Sequence, residues 1–215
     1  MKGDSEGGLA YARLIAALRA VADAERAAQE KRYQKSSWGH WGVALPKMDA
    51  AIRATVADLG QQASLDLAER LWREPVWDLK IVAGRILARK AVAPDANVWT
   101  FVTRRMGDLD GWAVADNLAS VGGRCLVADP ARLDIVESWV ESPHLWTRRA
   151  ALVFTLPWTK DGRSGEIPSA CSAGRRDSPL TANGSSRRRL AGGCASSPSA
   201  IPRGCAAFST NRARR

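Results

Sequence analysis

The sequence predicts an all-α protein, a short solenoid of helix pairs, on three observations. Apolar residues recur at helical spacing along the first 160 residues, and no segment alternates in the manner of a strand between turn dipeptides. Three comparable helices also open about 33 residues apart, at Val76, Asp110 and Ser142 or Pro143, which is the period of stacked helix pairs.

The elements follow in order. Residues 9–30 place Leu14, Ile15, Leu18 and Val21 on one stripe among charged residues, an amphipathic helix. The stretch "YQKSSWGHWGVALP" then breaks every period with Gly and Ser, and its Pro46 suits the first turn of the next helix. Helices are expected over 47–59, 64–74, 76–90, 95–106, 110–122, 130–141 and 143–157. Ser64, Asp95, Asp110 and Asp129 are the expected caps, and Ser142 with Pro143 forms a cap-then-proline pair. Such a stack buries one face of each pair and leaves a concave surface lined by the inner helices.

Charge divides the chain at about the same place as periodicity does. Residues 1–160 hold 22 basic and 19 acidic side chains, whereas 161–215 hold ten Arg, no Lys and three acids. We therefore read 1–160 as the helical repeat domain and 161–215 as a basic, low-complexity tail. That tail is either a disordered arm or a stretch non-native in sequence, such as out-of-frame translation of a GC-rich gene. The body is only mildly basic, which permits nucleic-acid binding without demanding it.

Several classes of function fall away. The opening "MKGDSEGGLAYARL" lacks a signal-peptide core and no window reaches membrane-span length, so the expectation is a cytoplasmic protein with no membrane partner. Cys125, Cys171, Cys194 and Cys205 form no CxxC, and His40 and His144 have no second ligand at metal spacing. No metal and no cofactor are expected.

The chemistry-bearing stretch is "DLDGWAVADNLA". At about 100° per residue, Val114, Asn117, Leu118 and Val121 gather on one side of a helix, and Trp112, Ala115, Asp116 and Ala119 on the other. An indole and a carboxylate thus share a face that core packing does not explain. In "SPHLWTRRAALVFTLPW", Leu145, Leu152 and Leu156 form a stripe close to Arg149, while Arg148 lies away from it. A guanidinium against an apolar stripe needs an anion, and Asp116, one repeat earlier, is a candidate partner. The same pattern fits a structural Arg–Asp pair tying adjacent repeats, and Trp112 alone fits a packing indole.

The run "KRYQK", then "WGVALPKMD", then "RLWREPVWDLKIVAGRIL", then Trp112 with Asp116, then "LWTRRAALVF", together resemble the AlkD-type DNA alkylation repair glycosylases. The resemblance covers roughly residues 9–160 in register. It implies HEAT-like repeats, double-stranded DNA as partner, and removal of positively charged N3- and N7-alkylated purines by a monomeric enzyme. It also implies that Asp116 is the catalytic carboxylate, Trp112 an active-site indole, Arg149 the inward arginine and Tyr33 the cleft tyrosine. A cationic purine leaves without being protonated, so the need is to stabilise the developing oxocarbenium sugar, which a carboxylate and an indole face can do. Arg32, Lys35, Arg148 and Arg149 are candidates for gripping phosphates. After "LPWTK" the sequence departs from the family's further helices and their second cleft tryptophan, which would impair activity and stability. The alternative to a glycosylase is a non-catalytic HEAT-like scaffold that binds DNA or a protein on the same surface.

Overall fold

The computed structural model describes residues 3–157, so the expectations for 161–215 lie outside the described residues. The chain forms α1 (Gly3–Ala20), α2 (Ala24–Gln34), α3 (Leu45–Val56), α4 (Gln61–Arg73), α5 (Trp77–Leu87), α6 (Ala96–Arg104), α7 (Trp112–Ala128), α8 (Leu133–Ser138) and α9 (Leu145–Phe154). Single 3-10 turns fall at Met106–Asp108, Pro130–Arg132 and Trp139–Glu141. Helices α4, α6 and α8 pack on α5, α7 and α9, while α3, α5, α7 and α9 succeed one another by direct packing. The result is the expected α-solenoid of helix pairs. Val76, Gly111 and His144 are the N-caps of α5, α7 and α9, 35 and 33 residues apart.

Burial explains the stacking. Helix α5 buries ten of its eleven residues and leaves only Arg85 half-exposed, because α3, α4 and α7 all close on it. Helix α7 is held between α5 and α9, so Ala115 and Ala119 are buried along with Val114, Leu118 and Val121. The expectation of two opposed stripes on α7 is therefore corrected: the buried arc is wide, and Trp112 and Asp116 stand at its open edge. At Gly122 an added Cβ would collide with the Phe154 ring, and this close approach lets α9 seat on α7.

Several boundaries differ from expectation. The helix expected over 9–30 is two helices, since Asp23 accepts from Arg26 N–H and starts α2 after a turn at Val21 and Ala22. No Gly or Pro marks that break. At Gly42 (φ 71°) an added Cβ would strike the backbone of Asp23 and Ala27, so the loop passes tightly under α2. Ser64 lies inside α4, its hydroxyl donating to Leu59 O, and Gly60 is the cap. Asp110 does not cap α7; its carboxylate accepts from Ser36 Oγ (2.7 Å), Ser37 N (2.9 Å) and Ser37 Oγ (3.1 Å) instead. Asp95 and Asp129 do cap, whereas Ser142 accepts only from His144 N and leaves α9 without a side-chain cap. The helix expected over 130–141 is the short α8 between two 3-10 turns.

Two recurring contacts tie one pair to the next. Arg89 donates to Val56 O and Leu59 O at the end of α3, and Arg124 donates to Leu87 O, Arg89 O and Val92 O at the end of α5. Each guanidinium therefore satisfies carbonyls that a helix end leaves open. Ion pairs cross at similar separations: Arg85 to Asp49 and Arg105 to Glu69, both 36 residues apart, and Arg149 to Asp116, 33 apart.

Candidate active site

The loop after α2 positions one wall of the site. Asp78, fully buried on α5, accepts from Trp41 N and Val43 N (both 2.8 Å), so a buried carboxylate fixes the loop backbone. Gly39 exchanges hydrogen bonds with Pro75 O and Trp77 N, tying the same loop to the start of α5. Lys35, in the left-handed region at φ 52°, ends α2 just after Tyr33. Tyr33, in the last turn of α2, is edge-on to Trp112, ring centroids 6.3 Å apart and planes at 88°.

Tyr33 and Trp112 stand at an open cavity of about 510 Å³ whose wall includes Trp77, Ile81, Arg85 and Asp116. Trp112 is the first residue of α7 and 40% exposed; Asp116 follows one turn later. Arg149 reaches across from α9 and donates to Asp116 from Nε (2.8 Å to Oδ1) and from Nη2 (2.7 Å to Oδ2). This fork fixes the plane of the carboxylate. The hydrogen bond to Asp116 holds the Arg149 pKa above its ordinary value, so the guanidinium stays charged at every physiological pH. The pair is not dry, with the Asp116 side chain 36% and the Arg149 side chain 40% exposed.

The expectation that Arg149 lies against an apolar core stripe is corrected by the burial along α9. Leu145, Leu152 and Leu156 are exposed, and α9 instead buries Thr147, Ala150, Ala151 and Phe154. Phe154 lies against Gly122 and Pro157 against Gly123, where an added Cβ would collide, so this side of α9 and not the leucine stripe faces α7. Arg149 meets Asp116 because it sits at the edge of the α7 contact, not because it is driven from an apolar core.

The remaining expected residues divide. Tyr33 joins Trp112 and Asp116 at the cavity, while Arg32 and Lys35 are exposed near the end of α2 and line none of it. Arg148 donates to Ser142 O and Pro143 O, closing its own helix start. Sequence reasoning passed over Trp77, Arg85 and Glu30. Trp77 opens α5 as Trp112 opens α7, 35 residues on, and Ile81 stands in the register of Asp116; reading the repeat position by position would have found them. Burial raises the Glu30 carboxyl pKa, opposed by the nearby Arg26 charge, and its Oε2 is buried without a partner among the described residues. His40 stacks on Trp77 (centroids 5.1 Å apart) and burial lowers its pKa, so it is a neutral packing ring.

Among the described residues no group of three His, Cys, Asp or Glu could hold a metal ion, and no helix is long and apolar enough to cross a membrane. Compared with known proteins, residues 14–179 match a family model described as DNA alkylation repair enzyme. No match was found among curated proteins.

Proposed function

Because the chain belongs to the DNA alkylation repair enzyme family, we propose that it is a DNA glycosylase acting on double-stranded DNA. In this reading it hydrolyses the N-glycosidic bond of positively charged N3- and N7-alkylated purines, as a cytoplasmic monomer. The observation that carries the reading is Asp116: an oriented, part-open carboxylate one turn from Trp112 at the mouth of the cavity.

The chemistry follows from that placement. The alkylated base takes the bonding electron pair as it leaves and becomes neutral, so no general acid is required at this step. Positive charge builds on the deoxyribose ring, and Asp116 and the Trp112 face lower its energy. Each Asp116 oxygen accepts one N–H from Arg149, and a carboxylate oxygen can accept a second bond, here from the attacking water. Water adds to C1′ and its proton passes to Asp116 or solvent. Tyr33, edge-on to Trp112, keeps the indole in place.

A second reading rests on its own observation. Among the described residues Asp116–Arg149 is one of three ion pairs that join successive repeats at 33- to 36-residue separation, and the other two have no proposed catalytic role. On that reading the pair is a strut in a non-catalytic scaffold. The full-length chain incubated with duplex DNA containing N7-methylguanine decides: release of the free base supports the glycosylase, and none supports the scaffold.

A further inference from the structure

A second cleft of about 600 Å³ lies beside the site; Asp110 lines it, and Trp112, two residues on, lines the first cavity. Its wall is rich in unspent hydrogen-bond donors. Lys80 on α5 is 4% exposed, with its ammonium 5.0 Å from the Trp38 ring and 5.3 Å from the Trp72 ring. One of its three protons goes to Trp72 O, and no carboxylate among the described residues bonds it. Arg105 pairs with Glu69 through Nη2, but its Nε–H is buried with no acceptor among the described residues. Arg73 and Arg104, the last residues of α4 and α6, are exposed at the rim with no ion-pair partner among the described residues.

Each acid in the wall accepts at least one hydrogen bond, although Asp110 Oδ1 is buried without a partner among the described residues. Glu69 holds Arg105, Asp108 accepts from Trp72 Nε1 (3.0 Å), and Asp110 Oδ2 accepts three bonds from Ser36 and Ser37. Four cations against three carboxylates leave a formal surplus of one positive charge. Spare donors plus one net charge fit a singly charged oxyanion and fit a dianion poorly, since the three carboxylates would repel the second charge.

We propose that this cleft binds a phosphate group, and that the group is a phosphodiester of the DNA backbone, held by Arg73 and Arg104 at the rim. The inference rests on DNA being the substrate of the proposed function, and not on the excision chemistry. A phosphate held here would anchor the strand next to Trp112 and so set the register of the sugar presented to Asp116.

The test is the Arg73→Gln/Arg104→Gln double variant of the full chain, measured for binding to a short unmodified duplex across salt concentrations. An Arg13→Gln/Arg53→Gln variant, equal in charge change but on α1 and α3, is the control. Neutralising the contact to one phosphate should reduce the log–log salt slope by about 0.9 and weaken binding roughly tenfold, with the control near the parent. Equal behaviour of the two double variants overturns the proposal. In a second arm, millimolar orthophosphate is compared with chloride at matched ionic strength. A rise in thermal midpoint that the rim variant loses, with duplex affinity unchanged, makes free phosphate the ligand and overturns the phosphodiester assignment. Weakened duplex binding in a protein that releases no base would leave this inference standing and sink the glycosylase, and normal release with unaltered binding would do the reverse.

Discussion

Replacing Asp116 by Asn keeps the shape of the side chain and one acceptor for Arg149 while removing the charge. Two unit charges about 5 Å apart at an effective dielectric of about 20 attract by about 3 kcal/mol. The Asp116 side chain is 36% exposed and the Arg149 charge offsets part of its field, so the loss to a developing oxocarbenium is about 2 to 3 kcal/mol, or roughly a hundredfold in rate. The stability effect is smaller. An ion pair whose partners are both more than a third exposed contributes at most about 1 kcal/mol, which shifts the midpoint by about 2–4 °C for a domain of this size. Duplex affinity should hold, because removing an acid cannot weaken attraction to phosphate. Single-turnover release of N7-methylguanine, duplex affinity and thermal midpoint are measured on one preparation. A release rate within about threefold of the parent, less than 0.7 kcal/mol, alongside a lowered midpoint would refute the catalytic role and leave Asp116 a strut.

Trp112→Leu, at a site already 40% exposed, should slow release by about tenfold, the worth of a partly desolvated cation–π contact, with little change in midpoint; an unchanged rate removes the indole from the mechanism. Arg124→Ala should lower unfolding free energy by about 2–3 kcal/mol in urea titration, since it strips three carbonyls at the end of α5; a loss under about 0.5 kcal/mol would mean that water replaces the guanidinium freely. Burial lowers the Lys80 pKa from 10.5 to about 8 despite the facing charges of Asp108, Glu74 and Asp110, with Arg105 pushing the same way as burial. Below pH 8 both folded and unfolded chains hold the proton; from about 8 to 10.5 the folded chain releases it first, so this group's contribution to stability rises with pH. Urea unfolding at both ends of that window should show the rise in the parent and not in Lys80→Met, and parallel slopes would contradict it.

Much of the architecture is legible from spacing alone. The 33-residue recurrence locates the starts of α5, α7 and α9 because each pair must bury the same face against the last, and that requirement writes a period into the chain. The break at Val21–Asp23 is not legible, since Val and Ala continue a helix by propensity and the turn is held by Trp41 O accepting from Asp23 N, a contact 18 residues away. Wheel geometry set Trp112 and Asp116 apart correctly but misjudged Ala115, Ala119 and the Leu145 stripe. A helix flanked on two sides has no single core face, and α9 seats on α7 through Phe154 over Gly122, with Ala150 and Ala151 buried and the leucines exposed. Tyr33 is reached through the resemblance and not through periodicity, because it lies at the end of a helix, where the wheel leaves its direction open.

The guanidinium ties from Arg89 and Arg124 bear on how the solenoid comes apart. A stack in which each pair touches only its neighbours can fray one unit at a time, with every unit keeping its own local melting equilibrium. Here the last turn of α3 is fastened by a side chain that follows α5, and the last turn of α5 by a side chain of α7. Opening one helix end strands a charge belonging to the next unit, so that neighbour bears part of the penalty. Amide exchange should then report α5 and α7 opening as one cooperative block, and the carboxylate and the indole would be lost or kept together.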